Sequence, residues 1–151
     1  MGSEMCIRDR TAGVDVERNV MAKINTLPDQ EKVHFIRKGD NANVDSYSIV
    51  KNNLGVNFSE VIDFIKEYEI SEVYLSGITF DFCVLFSGLN ISEILGKQVT
   101  VNVIKDATLS IFDDKDVITT ETYQAAGVNV CLLYTSPSPR DLSTSRMPSS
   151  A

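Results

Sequence analysis

Residues 73–84 read VYLSGITFDFCV, and this stretch decides the fold. Its first residues form an apolar run that predicts a β-strand, and the residues after Val84 have the composition of a helix. Cys83 therefore lies at a strand-to-helix turn, where backbone N–H groups and the positive end of the helix dipole favour a thiolate. A lone cysteine is more often a small buried apolar residue, so the position alone assigns no chemistry.

A lysine occupies a similar position after an earlier apolar run. Lys38 and Gly39 follow residues 33–37, VHFIR, which we predict to be a strand. Sites in open parallel sheets gather at the carboxyl ends of the strands, so Lys38 and Cys83 suggest a nucleophile with a cationic neighbour. Asp106 follows another predicted strand, residues 99–104, but we expect it to cap a loop rather than act as a catalytic acid.

The rest of residues 11–130 alternates helix-like and strand-like segments. Apolar residues recur at helical spacing in residues 58–68, and glycines follow two later helix-like segments. The predicted helices are residues 14–24, 58–68, 84–95 and 116–126, the predicted strands are residues 33–37, 72–76, 99–104 and 128–130, and residues 40–48 are a predicted loop. Helices of this length between strands imply βαβ units, so the predicted fold class is α/β with a parallel sheet.

Composition limits the classes of function. The chain has 151 residues, 43% of them hydrophobic, and a net charge of −7, which leaves room for one domain. An acidic chain without a basic stripe argues against nucleic acid or a membrane as partner, and no apolar run approaches the ~20 residues of a membrane span. Three widely spaced cysteines fit neither a disulfide framework nor a zinc pattern, and no signal peptide is recognised, so we expect a cytoplasmic location.

The two ends of the chain differ in character from residues 11–130. Residues 131–151, CLLYTSPSPRDLSTSRMPSSA, are rich in Ser and Pro and have no apolar period. Residues 5–9, MCIRD, can be encoded by ATG TGT ATA AGA GAC, whose reverse complement lies within TGT CTC TTA TAC ACA TCT, a coding of CLLYTS. This looks like the end of a transposase-based sequencing adapter, read once in each direction. We therefore expect residues 1–10 to be an adapter-like artefact, residues 131–151 an adapter-like disordered tail, and the rest a partial domain.

Two motifs resemble those of nicotinamidases and pyrazinamidases, within the isochorismatase-like cysteine hydrolase family. The first is Lys38-Gly39 followed by VDSYS at residues 44–48, similar to the family's KG…VDSYSAF. The second is GITFDFCV at residues 77–84, similar to the family's GLATDYCV. Ser87 in the following helix is a supporting match. The resemblance implies a three-layer fold, a parallel sheet with helices on both faces, which here would be incomplete and lack the first two strands.

The resemblance also implies an activity, the hydrolysis of nicotinamide to nicotinate and ammonia. Cys83 would attack the carboxamide carbon, Lys38 would stabilise the thiolate, and the backbone N–H groups of Thr79 and Cys83 would form the oxyanion hole. Tyr47 and Ile78 would bind the small-molecule amide substrate, and in the family a cis peptide bond precedes the first oxyanion donor, here between Ile78 and Thr79. Another isochorismatase-like small-amide hydrolase and a non-catalytic relative used for binding remain alternatives.

Some features of the family are expected to be absent. The family's aspartate general base and its Asp-x-His metal site, which holds a divalent metal such as zinc, iron or manganese, come from strands upstream of the segment that Thr11 begins. We therefore expect no metal ligands in this chain and no activity from the fragment, and a homo-oligomer is left open. His34, the single histidine, is expected to be a packing or surface residue. Thr79-Phe80 stands where the family has Ala-Thr. This difference affects which substrate is expected and leaves the expected class of enzyme unchanged.

Overall fold

The structure is a computed structural model, and it describes residues 18–39, 41–56 and 59–133. Within them the helices and strands are α1 Arg18–Ile24, α2 Ser59–Glu67, β1 Glu72–Ile78, α3 Cys83–Leu95, β2 Thr100–Leu109, α4 Asp116–Ala125 and β3 Asn129–Cys131. Short 3-10 turns lie at Gln30–Lys32, Gly96–Gln98 and Asp113–Lys115. Strands and helices alternate from α2 onward, which confirms the predicted α/β class with a parallel sheet.

The three strands form one parallel sheet in the order β1-β2-β3. Leu75 of β1 lies opposite Val103 of β2. Gly77 lies opposite Thr108, so β2 has a bulge between the two pairs, directly before the turn that leads to α3. Because both crossovers link neighbouring parallel strands in the same direction, the right-handed rule puts α3 and α4 on one face of the sheet.

The buried core lies between this sheet and the helices. The largest fully buried side chains are Tyr123, Phe80, Ile91, Val50, Val101, Val103 and Val128. Gly88 lets α3 approach the sheet closely, because a Cβ at this position would lie 3.3 Å from the Leu75 Cδ1 atom. Burial of one Val or Ile side chain contributes about 1.5–3 kcal/mol. The core therefore fixes α3, and with it Cys83, relative to the ends of β1 and β2.

The helix boundaries agree with the sequence wherever they are described. The predicted helices 58–68, 84–95 and 116–126 are found as α2, α3 and α4, each within one residue at its described ends. Gly96 follows α3 with a φ of +54°, a conformation that residues with side chains rarely adopt. The predicted helix 14–24 is confirmed over α1, and its first four residues lie outside the described residues.

The prediction of a strand at residues 33–37 is wrong. In the described part of the chain these residues pair with no strand, so Lys38 does not follow one. A strand needs a neighbour for its ladder of hydrogen bonds, and the described partner of β1 is β2. Instead, the ring of His34 packs against Phe64 of α2, with 4.5 Å between the ring centroids.

The second strand is longer than the sequence predicts. The prediction was residues 99–104, whereas β2 extends over Thr100–Leu109, because charged residues interrupt the apolar run without ending the strand. Asp106 therefore lies within β2 rather than after it. Its carboxylate accepts a hydrogen bond of 2.8 Å from the N–H of Leu133, just beyond the last strand. That strand, β3, begins one residue later than predicted and includes Cys131.

The β1 edge of the described sheet is open. β1 pairs with β2 on one edge, and its other edge has no strand partner among the described residues. Large apolar side chains are also exposed, among them Leu54 (74%), Ile78 (70%), Leu109 (70%) and Phe35 (60%). An open edge together with apolar surface of this kind is typical of a face that further structure covers.

Candidate active site

The turn between β1 and α3 holds Cys83. The peptide bond between Ile78 and Thr79 is cis. The carbonyl of Thr79 accepts hydrogen bonds from the N–H groups of Phe82 (3.2 Å) and Val84 (3.0 Å). Cys83 is the first residue of α3, so its N–H belongs to the first turn, where a helix supplies no partner of its own. The thiol is thus half-buried at the positive end of the helix.

Phe80 anchors this turn in the core. Its side chain is fully buried, and its N–H donates to the carbonyl of Leu109 at 2.8 Å. Its carbonyl accepts a hydrogen bond of 2.5 Å from the hydroxyl of Tyr123, which is also fully buried. Burial raises the pKa of Tyr123, so the hydroxyl stays protonated and donates. The ammonium of Lys105 lies 4.4 Å from the centroid of the Phe80 ring, a cation–π contact.

Lys38 lies next to the thiol. Its ammonium is 3.6 Å from the Cys83 Sγ atom. It also donates hydrogen bonds to the carbonyls of Ser46 (2.7 Å) and Tyr47 (3.2 Å), so all three of its donor positions have a partner. Two carbonyls and a half-buried setting hold the ammonium in one place beside the sulfur.

Four aromatic rings form a cluster that includes Phe82, the residue before Cys83. The Tyr47 ring stacks on Phe86 and meets Phe82 edge-on, with 5.8 Å between centroids in both pairs. The Phe82 ring lies 6.3 Å from that of Phe112, which follows β2. Phe86 and Phe112 are 38% and 42% exposed, so they present ring surface to solvent. Such a wall suits a flat aromatic ligand better than an aliphatic one.

Asp81 connects the cysteine turn to the segment after β2. Its carboxylate accepts hydrogen bonds from the N–H groups of Ile111 (3.1 Å) and Phe112 (2.9 Å). Burial alone would raise the pKa of Asp81, but the hydrogen bonds around the carboxylate, led by those from Ile111 and Phe112, together hold the pKa below its ordinary value. The Thr79 hydroxyl lies near enough to help lower that pKa, yet within the described residues it has no hydrogen bond of acceptable geometry.

The residues singled out in the sequence come together at this turn. Lys38 lies beside the Cys83 sulfur, the Tyr47 ring meets Phe82 of the same turn, and Ile78 and Thr79 are joined by the cis peptide bond that precedes the turn. The sequence analysis did not single out the Phe86 and Phe112 rings or the carboxylate of Asp81. Phe86 could have been found from its spacing, four residues after Phe82, which puts both on one face of α3. Phe112 lies outside any periodic segment, so no sequence pattern marks it.

Comparisons with known proteins find nicotinamidases and pyrazinamidases. No protein-family profile matches the chain. The nicotinamidase of Escherichia coli (strain K12) is 33% identical over 92 residues, which are 60% of this chain and 42% of that protein. The solved structure of the yeast nicotinamidase Pnc1p bound to the inhibitor nicotinaldehyde superposes with a TM-score of 0.69 at 20% identity. That superposition covers 82% of this chain and 55% of the yeast chain.

The described residues form an α/β fold in which the cysteine turn follows the end of β1. The chain is similar in sequence to a nicotinamidase, and it shares the fold of nicotinamidases and pyrazinamidases over part of their length. The chain spans about half the length of these relatives, 42% of the bacterial protein and 55% of the yeast protein.

A metal ion occurs in one solved protein of this fold. The pyrazinamidase of Pyrococcus horikoshii in complex with zinc superposes with a TM-score of 0.54 at 18% identity, over 68% of this chain and 52% of that one. Within residues 18–39, 41–56 and 59–133, no group of three or more His, Cys, Asp and Glu side chains could hold a metal ion. The described residues therefore do not fit a metal, and the chemistry of Cys83 is derived without one.

Proposed function

We propose that this chain is part of a nicotinamidase, an amide hydrolase that converts nicotinamide to nicotinate and ammonia through a cysteine thioester. The observation that carries the proposal is the 3.6 Å distance between the Lys38 ammonium and the Cys83 Sγ atom. Its second support is the similarity to the bacterial nicotinamidase over 92 residues. The flat aromatic wall of Tyr47, Phe82 and Phe86 is compatible with a pyridine ring.

The proposed reaction begins at the thiol. The Cys83 thiolate, stabilised by Lys38, forms a C–S bond to the carboxamide carbon, and the carbonyl oxygen becomes an oxyanion. The backbone N–H groups of Thr79 and Cys83 donate to that oxyanion. Collapse of the intermediate breaks the C–N bond and releases ammonia, whose added proton must come from a general acid. Water then attacks the thioester, the C–S bond breaks, nicotinate leaves and the thiol is restored.

The general acid and base are not supplied by the described residues. The hydrogen bond made by the Cys83 Sγ atom within them is to Lys38, and no carboxylate in the described ranges bonds to it. Asp81, the aspartate closest in sequence, is committed to the N–H groups of Ile111 and Phe112. We propose that the described segment on its own does not turn over, because proton transfer contributes about 10²–10⁴-fold and lacks a donor here.

The experiment uses the full-length protein that contains this segment. We expect purified protein to release ammonia from nicotinamide, and Cys83→Ser to abolish that release while the protein remains folded by circular dichroism. Ser92→Ala is the control, because that hydroxyl bonds to the carbonyl of Ala126 away from the turn. Full activity of Cys83→Ser, or a folded protein that binds nicotinamide without hydrolysing it, would contradict the proposal and favour the non-catalytic relative.

The ends of the chain and its location belong to the same proposal. We propose that residues 1–10 and 131–151 derive from adapter sequence, and that resequencing the source DNA without transposase tagging replaces them with a continuous coding frame. Recovery of the same codons at both junctions would contradict this. No described helix is long and apolar enough to cross a membrane. We propose a cytoplasmic location from the cysteine content of the sequence.

A further inference from the structure

Ser87 connects the two segments that form the thiol–ammonium pair. Its hydroxyl donates a hydrogen bond of 2.6 Å to the carbonyl of Cys83, one helical turn earlier in α3. The same hydroxyl accepts a hydrogen bond of 3.0 Å from the N–H of Ile49. A serine that bonds only to the carbonyl four residues earlier is common in helices. The second bond, to a segment 38 positions away, distinguishes Ser87.

The segment that Ser87 holds is the one that holds Lys38. The Lys38 ammonium donates to the carbonyls of Ser46 and Tyr47, three and two residues before Ile49. Ser48 lies between them and is buried, and its hydroxyl accepts the N–H of Val50 at 3.0 Å. The chain between the two carbonyls and the Ser87 contact is therefore short and internally hydrogen-bonded. A shift of Ile49 relative to α3 would carry the two carbonyls with it.

The two hydrogen bonds of Ser87 oppose such a shift of Ile49 relative to α3. Its side chain is 8% exposed, and its donor and its acceptor are both used. Removing the hydroxyl would leave the N–H of Ile49 without this partner in a half-buried position, which favours movement of the segment toward another acceptor.

We propose that Ser87 is a positioning residue that sets the distance between the Lys38 ammonium and the Cys83 thiolate. The inference rests on the proposed function, since it assigns a role in activating the same nucleophile. The hydroxyl of Ser87 bonds to the N–H of Ile49 and the carbonyl of Cys83, so it acts through the backbone of residues 46–49 and the first turn of α3.

The test measures alkylation of Cys83 by iodoacetamide in the full-length protein, read by peptide mass spectrometry. The readout is the rate constant at pH 7 divided by that at pH 10, because losing a cationic neighbour slows the alkylation of a thiol more at neutral than at alkaline pH. We expect Ser87→Ala to lower this ratio about fivefold and Ser87→Thr, which keeps a hydroxyl, to preserve it within about twofold.

Ser92→Ala is the matched control. Ser92 lies on the same helix, and its hydroxyl donates a hydrogen bond of 2.8 Å to the carbonyl of Ala126, far from the thiol in sequence. A general loss of helix packing would lower the melting temperature of both alanine variants, whereas only Ser87→Ala should change the alkylation ratio.

The outcomes separate the inference from the function on which it rests. If Lys38→Met lowers the ratio and Ser87→Ala leaves it at the wild-type value, the positioning role of Ser87 is overturned and the nucleophile assignment stands. If Lys38→Met also leaves the ratio unchanged, the activation of Cys83 fails and the inference fails with it.

A measurement on the unsubstituted protein covers the case in which Ser87→Ala does not fold. Native-state hydrogen exchange reports whether the Ile49 N–H is bonded, and we expect its exchange to be at least tenfold slower than that of an unstructured peptide amide. Exchange of the Ile49 N–H at the rate of an exposed loop amide would overturn the proposal.

Discussion

The ammonium of Lys38 and the thiol of Cys83 are 3.6 Å apart although 45 positions separate them in the chain. The contact does not depend on a strand carrying the lysine, since residues 33–37 form none in the described chain. It depends on two carbonyls, those of Ser46 and Tyr47, that fix the ammonium beside the first turn of α3. The cation is thus positioned by backbone groups rather than by a carboxylate.

Replacing Lys38 should weaken the nucleophile. In the full-length protein we expect Lys38→Met to slow alkylation of Cys83 at pH 7 by about tenfold, because the ammonium 3.6 Å from the sulfur is lost. Lys97→Met, which removes an exposed lysine in the 3-10 turn after α3, is the control and should change the rate little. An unchanged rate in Lys38→Met would show that the contact contributes nothing to the reactivity of the thiol.

Acid should destabilise the protein partly through Asp81. Because hydrogen bonds from Ile111 and Phe112 hold the pKa of Asp81 below its ordinary value of 3.8, its contribution is present above that pH and is lost as the pH falls through the lower folded-state value. We therefore expect Asp81→Asn to lower the free energy of unfolding at pH 7, and the difference from wild type to shrink below about pH 4.

The measurement for Asp81 is urea denaturation of the full-length protein between pH 3 and pH 7. Asp63→Asn, on the exposed side of α2, is the matched control and should follow the wild-type curve. A stability difference that stays constant down to pH 3 would mean that the charge of Asp81 has no part in holding the segment after β2.

The hydroxyl of Thr79 is a cost in the present sequence. Its oxygen is buried without a hydrogen bond in the described residues, and an unsatisfied buried hydroxyl destabilises a protein. We expect Thr79→Ala to raise the free energy of unfolding of the full-length protein by about 1 kcal/mol, measured by chemical denaturation. Thr108→Ala should instead lower it, because that buried hydroxyl donates to the carbonyl of Lys105 at 2.7 Å.

The given chain, expressed alone, should be insoluble or molten. The open edge of β1 and exposed apolar side chains such as Ile78 and Leu109 leave the sheet without a cover on one side. We expect strong binding of a hydrophobic dye and no cooperative thermal transition in calorimetry. A sharp cooperative melt with well-dispersed amide signals in nuclear magnetic resonance would contradict this expectation.

Much of the fold could be predicted because its elements carry strong local signals. The apolar run before Gly77, the helical period of α3 and the glycine after it specify β1, the turn and the helix without outside information. The strand at residues 33–37 could not be judged in this way. A short, mostly apolar segment favours a strand, but a strand forms only if another strand lies beside it. The five residues of the segment do not encode that neighbour.

The candidate site was predictable only in part. Lys38 and Cys83 were expected to lie close together because each was predicted to follow a strand and because of the family resemblance. In the structure the two residues are close, but the Lys38 ammonium is held by the carbonyls of residues 46 and 47 rather than by a strand end. The role of Asp81 in binding the N–H groups of Ile111 and Phe112 had no sequence signal, because contacts between two loops follow from the packing of β1 against β2.

Tyr47 has two separate roles, one for its backbone and one for its ring, and this affects how substitutions can change the pocket. Its carbonyl holds the Lys38 ammonium, while its ring forms part of the wall that a ligand would meet. A carbonyl is present whatever residue occupies position 47, so a substitution there reshapes the wall and leaves the charge beside the sulfur in place. Selectivity for the ligand and reactivity of the thiol can therefore change independently. A library randomised at position 47 should yield variants with an altered substrate range that keep the nucleophile.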